Sequence, residues 1–252
     1  MGQMLLRLVA EDHDLRLVGA IERPDHPQLG TDAGAAGGGT HIGVKLTADL
    51  PAGIDVMLDF SSPGGTIGKL PVCTQRNVAV VIGTTGFDAD QAAKLRAAAQ
   101  VIPVLVSPNM SVGVNLLFDI AAQMAQRLGP GYDIEIVEAH HRFKKDAPSG
   151  TALRIAQSIA AALGIDFDER AVYGRHGLVG ERPPGQIGIH AVRGGDIVGD
   201  HTVIFAAQGE RIELRHQAHS RETFARGALR AARFLVGKPP GMYSMSDVLA
   251  GS

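Results

Sequence analysis

The sequence predicts an α/β protein in which a doubly wound parallel sheet is joined to an α+β domain with a mostly antiparallel sheet. Three observations carry this. Residues 55–60, 78–82 and 102–106 are short apolar runs alternating with helical stretches, the order of βαβ crossovers. Few polar residues interrupt those runs, as expected of strands covered on both faces. After residue 187 the texture changes. Residues 187–192, 200–207 and 211–217 alternate side to side, with Gly194-Gly195-Asp196 and Gln208-Gly209-Glu210 as turns between them.

Each element follows from local pattern. Met4, Leu5, Leu8 and Val9 repeat at helical spacing, so residues 2–12 are expected to be an amphipathic helix. Residues 15–21 read as a strand ending at Glu22-Arg23. The Pro/Gly/Ala-rich segment 24–43 is too long for a simple connector and is expected to be mobile or functional. The run 55–60 stops at Ser61-Ser62-Pro63 and leads into a helix around 64–75. The run 78–82 ends in Gly83-Thr84-Thr85-Gly86, and a helix over 88–99 follows with Asp88 as its cap. The run 102–106 ends in Ser107-Pro108-Asn109-Met110. Ligands of such sheets gather at these carboxyl ends. Residues 114–128 form a long helix, 152–163 another, and Ser220 precedes a last one with Phe224, Ala228, Ala231 and Leu235 on one face. The expected domains are 1–111 with 221–252, and 112–220 between them.

Composition narrows the partners. With 252 residues, 45% hydrophobic and 20% charged, the chain has enough material for a real core. A net charge of −2 argues against nucleic acid, because no basic excess is available to neutralise phosphates. The single cysteine, Cys73, lies in an apolar run, reads as packing, and suits a reducing cytoplasm. No apolar run reaches the length of about 18 residues needed to span a bilayer. Residues 1–12 turn acidic without a basic start, unlike a secretory signal, and Leu6 fails the myristoylation pattern. The ten histidines show no H-E-x-x-H or paired Cys/His spacing, so no metal is expected.

The most informative stretch is 136–153, I-V-E-A-H-H-R-F-K-K-D-A-P-S-G-T-A-L. It reads as a strand end, a charged loop and a helix start. The amides and partial positive charge of a helix N-terminus attract carboxylate or phosphate. Two histidines and the cations Arg142, Lys144 and Lys145 just before it make an anion site able to move protons. By spacing alone, a merely solvated loop with Ser149 or Thr151 as helix cap is an equal reading.

E-A-H-H-R-F-K-K-D-A-P-S-G-T-A resembles the signature of the dihydrodipicolinate reductase family, of the bacterial and plant diaminopimelate and lysine pathway. The resemblance implies His140 as acid/base, Lys144 as proton donor, and His141, Gly150 and Thr151 as contacts of the substrate carboxylates. Ser149 then organises the loop, while Arg142, Lys145 and Asp146 are solvated or structural. Gly19-Ala20-Ile21-Glu22-Arg23 resembles the family's cofactor-discriminating stretch, with Glu22 on ribose hydroxyls and Arg23 suited to a 2′-phosphate. Both NADH and NADPH are therefore expected. Gly83, Thr84 and Thr85, and Ser107, Pro108, Asn109 and Met110, match the two segments beside the nicotinamide, and 111–115 match the hinge that follows.

The resemblance makes the first domain Rossmann-like and dinucleotide-binding, and the second a substrate-binding and oligomerisation domain that forms homotetramers through its sheet. Gly2 aligns with the end of the family's G-x-x-G-x-M-G loop. The first strand and most pyrophosphate-binding glycines are then missing, which predicts poor stability and weak cofactor binding. V-R-G-G-D-I-V-G-D-H-T also resembles the family and suggests domain or subunit packing for Arg193, Asp196 and His201. The implied reaction is reduction of 4-hydroxy-tetrahydrodipicolinate, through its dehydrated form, to tetrahydrodipicolinate. The alternatives are a non-catalytic nucleotide or metabolite binder, and another amino-acid-pathway dehydrogenase on the same fold.

Overall fold

A computed structural model describes residues 1–251. The chain divides into two compact units, Met1–Val112 with Glu222–Ser252, and Gly113–Arg221. In the first, α1 (Gly2–Ala10) buries Leu5, Leu8 and Val9, the stripe its spacing predicts. The strand expected over 15–21 shrinks to β1 (Ala20–Ile21), because its ladder partner among the described residues, β2 (Leu46–Thr47), offers two residues. Leu15 and Leu17 still pack, half-buried, against the core.

The long segment between these strands is organised by one carboxylate. Asp32 caps α2 (Ala33–Ala36) by accepting from the amides of Gly34 and Ala35, and it also accepts from those of Ile42 and Gly43. A side chain that satisfies both ends of a loop fixes its shape locally. β3 (Val56–Asp59) then leads to α3 (Pro63–Gln75), with Ser62 as cap and Pro63 in the first turn, where its missing N–H costs nothing. β4 (Ala79–Ile82) is buried throughout. Asp88 and Gln91 form a capping box on α4 (Ala89–Ala98), and β5 (Pro103–Val106) follows.

The second unit begins with α5 (Val112–Leu128) and β6 (Asp133–His140), continues through α6 (Gly150–Leu163) and α7 (Phe167–Arg170), and ends in β7 (Ala171–Tyr173), β8 (Ile187–Arg193), β9 (Gly199–Ala207) and β10 (Glu210–Ala218). The strand order is β10-β9-β6-β8-β7. This sheet is mixed rather than mostly antiparallel: β10-β9 and β9-β6 are antiparallel, whereas β6-β8 and β8-β7 are parallel. The physical reason is connection length. A tight turn joins β9 to β10, but α6 and α7 intervene between β6 and its parallel neighbour β8. Alternate positions of the strands, Ile134, Ile136, Ile187, Ile189, Val203 and Phe205, pack with α5 and α6 through Ala121, Ile155 and Ile159.

The chain then completes the first unit with α8 (Glu222–Leu235), β11 (Gly241–Tyr243) and α9 (Met245–Ala250). The parallel sheet runs β11-β5-β4-β3. On one face lie α1 and α8, through Leu5, Leu8, Ala228 and Leu229. On the other, Leu70, Cys73, Leu95 and Ala98 of α3 and α4 meet Val80, Ile82 and Val104. Burial pushes the Cys73 thiol up to about 11, so it packs rather than reacts.

Candidate active site

In β6 the inward row runs Ile134, Ile136, Glu138, His140, so the last two members of an apolar row are ionisable. Glu138 is fully buried and His140 is 9% exposed. An unpaired carboxylate there would be too costly, and Glu138 is fully partnered instead. Its Oε2 accepts from Arg193 Nη1 at 2.8 Å and lies 2.6 Å from His140 Nδ1. Its Oε1 accepts from Arg193 Nη2 at 2.8 Å and the Ser149 amide at 3.0 Å. Burial alone would raise its pKa; Arg193, His140 and the Ser149 amide together hold it below the usual carboxylate range.

Sheet register explains the convergence. Arg193 of β8 lies opposite His140, and His201 of β9 lies opposite Glu138. The rings of His140 and His201 meet edge to face at 5.2 Å, and His201 Nε2 lies 3.2 Å from Ser149 Oγ. Burial depresses the pKa of His140, helped by Lys144 and Arg193 and opposed by Glu138. Burial, with His140 and His216 nearby, drives His201 down to about 4, so it is neutral at pH 7.

The loop between β6 and α6 is held at both ends. Gly194 N–H donates to the His140 carbonyl, Arg142 N–H to that of Gly195, and Arg193 Nη2 to that of Asp146. Lys144 Nζ pairs with Asp146 at 2.9 Å, and its backbone N–H donates to the His141 carbonyl. Ser149 caps α6 by accepting from the Ala152 amide. Gly150 and Thr151 therefore open a fourteen-residue helix beside a cationic loop, where backbone amides and dipole favour an anion. His140, His141, Lys144, Gly150 and Thr151 all belong to this one strand–loop–helix.

The remaining candidates lie in the first unit. Gly83, Thr84 and Thr85 follow β4, and Ser107, Pro108, Asn109 and Met110 follow β5, so strand pairing sets the two segments side by side. The Thr84 hydroxyl donates to Asp59 Oδ1, Ser107 Oγ donates to the Asn109 carbonyl at 2.7 Å, and Asn109 Oδ1 accepts from the Ser111 amide at 2.9 Å. Gly2 opens α1. Glu22 and Arg23 are exposed just after β1, the Glu22 carboxylate accepting from the Arg23 amide and Arg23 pairing with Asp25. An exposed carboxylate at a strand end beside a guanidinium is chemically fit for the ribose and phosphate groups of a dinucleotide.

The family model "Dihydrodipicolinate reductase, N-terminus" matches residues 1–110, and "Dihydrodipicolinate reductase, C-terminus" matches 113–249. The chain belongs to the dihydrodipicolinate reductase family. It is 52% identical to the 4-hydroxy-tetrahydrodipicolinate reductase of Anaeromyxobacter dehalogenans strain 2CP-1, over 99% of this chain and 93% of that one. To the enzyme of the same name from Thiobacillus denitrificans it is 54% identical, over 99% and 94%. The dipicolinate-bound dihydrodipicolinate reductase of Paenisporosarcina sp. TG-14 superposes with a TM-score of 0.76 at 27% identity, covering 96% of this chain and 92% of that chain. An amine dehydrogenase from Mycobacterium smegmatis, at 13% identity and TM-score 0.57, shares the fold alone.

In this family member, Glu138 was missed by sequence reasoning, although it stands in the E-A-H-H signature. The usable signal was its i, i+2 spacing from His140, which places both on one face of a strand. Arg193 and His201, expected to serve domain or subunit packing, instead point into the cluster around His140, because the register of β8 and β9 against β6 puts them there. Asp196 is exposed in the β8–β9 connection.

Proposed function

We propose that this protein reduces 4-hydroxy-tetrahydrodipicolinate, through its dehydrated form, to tetrahydrodipicolinate with NADH or NADPH, in diaminopimelate and lysine biosynthesis. The observation that carries the reading is the intact Glu138–His140 pair beside the Lys144 loop and the start of α6. It stands in a chain more than half identical to reductases of that name over almost its whole length.

The first unit is the dinucleotide-binding domain, using Gly2, Glu22, Arg23, Gly83, Thr84, Thr85, Ser107, Pro108, Asn109 and Met110. The Gly113–Arg221 unit binds substrate. A bound dihydronicotinamide supplies the hydride. The substrate is a dicarboxylate, and His141 with the amides of Gly150 and Thr151 holds its carboxylates. Lys144, kept in place by Asp146, donates the proton that balances the hydride, and His140 serves as acid/base beside it. Neutral His201 keeps the cluster from gathering excess positive charge.

The protein works as a cytoplasmic homotetramer with no nucleic-acid partner. Its subunits meet on the sheet face of the second unit that carries Val137, Val192 and Ile204, opposite α5 and α6.

The test is coupled turnover with dihydrodipicolinate synthase, following oxidation of NADH or NADPH. His140→Ala and Lys144→Ala are expected to lose about 10²–10⁴-fold in kcat. Either variant turning over at the parent rate would sink the mechanism.

A further inference from the structure

The geometry points to Glu138 as a positioning residue that locks His140 as the Nδ1–H tautomer, leaving Nε2 as the nitrogen that exchanges the proton. This rests on His140 being the acid/base of the proposed reaction, and it adds which ring atom works and what chooses it.

The argument begins with donor counting. Two carboxylate oxygens offer about four acceptor sites. Four nitrogens occupy them: Arg193 Nη1 and His140 Nδ1 on Oε2, Arg193 Nη2 and the Ser149 amide on Oε1. The guanidinium and the amide are obligate donors, so Glu138 is held as an acceptor-only carboxylate. The nitrogen 2.6 Å from it must then be the donor, which puts the ring proton on Nδ1. The one alternative, a protonated Glu138 donating to Nδ1, is opposed by the bidentate Arg193 guanidinium and the Ser149 amide, which favour the ionised carboxylate.

The other edge of the ring is arranged to match. Nε2 faces Gly199, where a Cβ would come within 3.1 Å of it, so glycine keeps that nitrogen uncovered. His201, the second ring in contact, has its Nε2 at Ser149 Oγ instead. The charged and titratable groups around His140 are Glu138 of β6, Lys144 of the loop, Arg193 of β8 and His201 of β9. Glu138 favours the imidazolium, while Lys144 and Arg193 oppose it. Arg193 thus has two effects: it orients the carboxylate and it offsets its charge.

Two measurements test this on the full chain. The first is the ¹⁵N spectrum of the histidine rings in the native protein above the His140 titration, assigned by loss of one ring system in His140→Ala. It is expected to show His140 protonated at Nδ1; protonation at Nε2 overturns the inference. This readout needs no turnover, so it stands apart from the proposed reaction, which fails separately if His140→Ala keeps its rate. The second is Glu138→Gln, whose amide presents a donor to one of the positions now filled by donors. It is expected to lose about 100-fold in kcat with KM changed less than about threefold, and to move the acid limb of the pH profile down. Arg193→Gln is expected to move that limb up. A Glu138→Gln protein that melts like the parent and keeps its kcat and pH profile overturns the inference. If Glu138→Gln does not fold, the native spectrum decides.

Discussion

Glu135 and Glu138 stand three residues apart on β6, face opposite sides of the sheet, and bind two guanidinium groups and one, respectively. Glu138 serves the cluster around His140. Glu135 ties Arg175 at 2.9 Å, Arg182 at 2.8 Å and His190 at 2.7 Å to the other face, pinning the segment between β7 and β8. Gly188 makes this possible, since a Cβ there would fall 1.8 Å from Glu135 Oε2.

The Glu135 cluster predicts a low-pH loss of stability. Burial would raise this carboxyl, but Arg175, Arg182 and His190 outweigh it and bring its pKa from 4.5 to about 2. A depressed carboxylate stabilises the fold above its unfolded pKa and loses that stabilisation as pH falls through its folded one. The drop is equivalent to about 3 kcal/mol. Urea unfolding of the native chain and Glu135→Gln should differ by that order at pH 6 and converge near pH 2. Curves that stay parallel across this range would refute the assignment.

His201 predicts a second loss in a higher window. Its pKa falls from 6.5 to about 4, first by burial, so protonation favours the unfolded chain. The contribution is whole above pH 6.5 and is lost between 6.5 and 4. His201→Gln should flatten the stability profile in that interval while leaving the Glu135 window below it untouched. An unchanged slope between pH 6.5 and 4 would rule His201 out as its source.

Which parts were legible in the sequence follows from how local their causes are. Asp88 and Ser149 cap helices through amides three residues on, so the cap is written in a few adjacent letters. The wholly apolar β4 was equally plain. β7 and β11 were not, because each is three residues long and exists only through a neighbour supplied from elsewhere in the chain. The site divides the same way. His140 to Thr151 are contiguous and carry the signature, whereas Arg193 reaches Glu138 across 55 residues, and only the β6–β8 register reveals the meeting.

Gly227 predicts a stability cost opposite in sign to helix propensity. It lies inside α8, where alanine would ordinarily gain about 1 kcal/mol. A Cβ there, however, would stand 1.7 Å from the Met110 carbonyl oxygen, so the helix would have to retreat from the segment after β5. Gly227→Ala is expected to lose about 1–3 kcal/mol in denaturant unfolding. It should also weaken NADH binding, because Ser107–Met110 moves with the helix. A variant more stable than the parent would show that the contact yields easily.

Gly199 predicts a catalytic loss with little effect on folding. Its φ lies outside the left-handed region, so alanine is conformationally acceptable, and the added methyl meets chiefly the His140 ring. Gly199→Ala should lower kcat by about tenfold or more with a melting temperature close to the parent's. A parent-like kcat would mean that the proton is exchanged away from this edge.

Glu22 and Arg23 predict dual cofactor use. The Arg23–Asp25 pair is 3.2 Å long, with 68% and 78% of the two side chains exposed, and so exposed an ion pair holds the guanidinium only weakly. Arg23 is then available to a 2′-phosphate at little cost, while the neighbouring Glu22 carboxylate suits unphosphorylated ribose hydroxyls and repels the phosphate. The two effects oppose each other, so kcat/KM for NADH and NADPH should agree within about tenfold. Each of those contacts is worth roughly 1–2 kcal/mol, a change of about tenfold when it is removed. Arg23→Ala should therefore cost NADPH about that factor and spare NADH, whereas Glu22→Ala should cost NADH about that factor and raise kcat/KM for NADPH. Near-total loss of activity with either cofactor in the parent protein would overturn this reading of the pair.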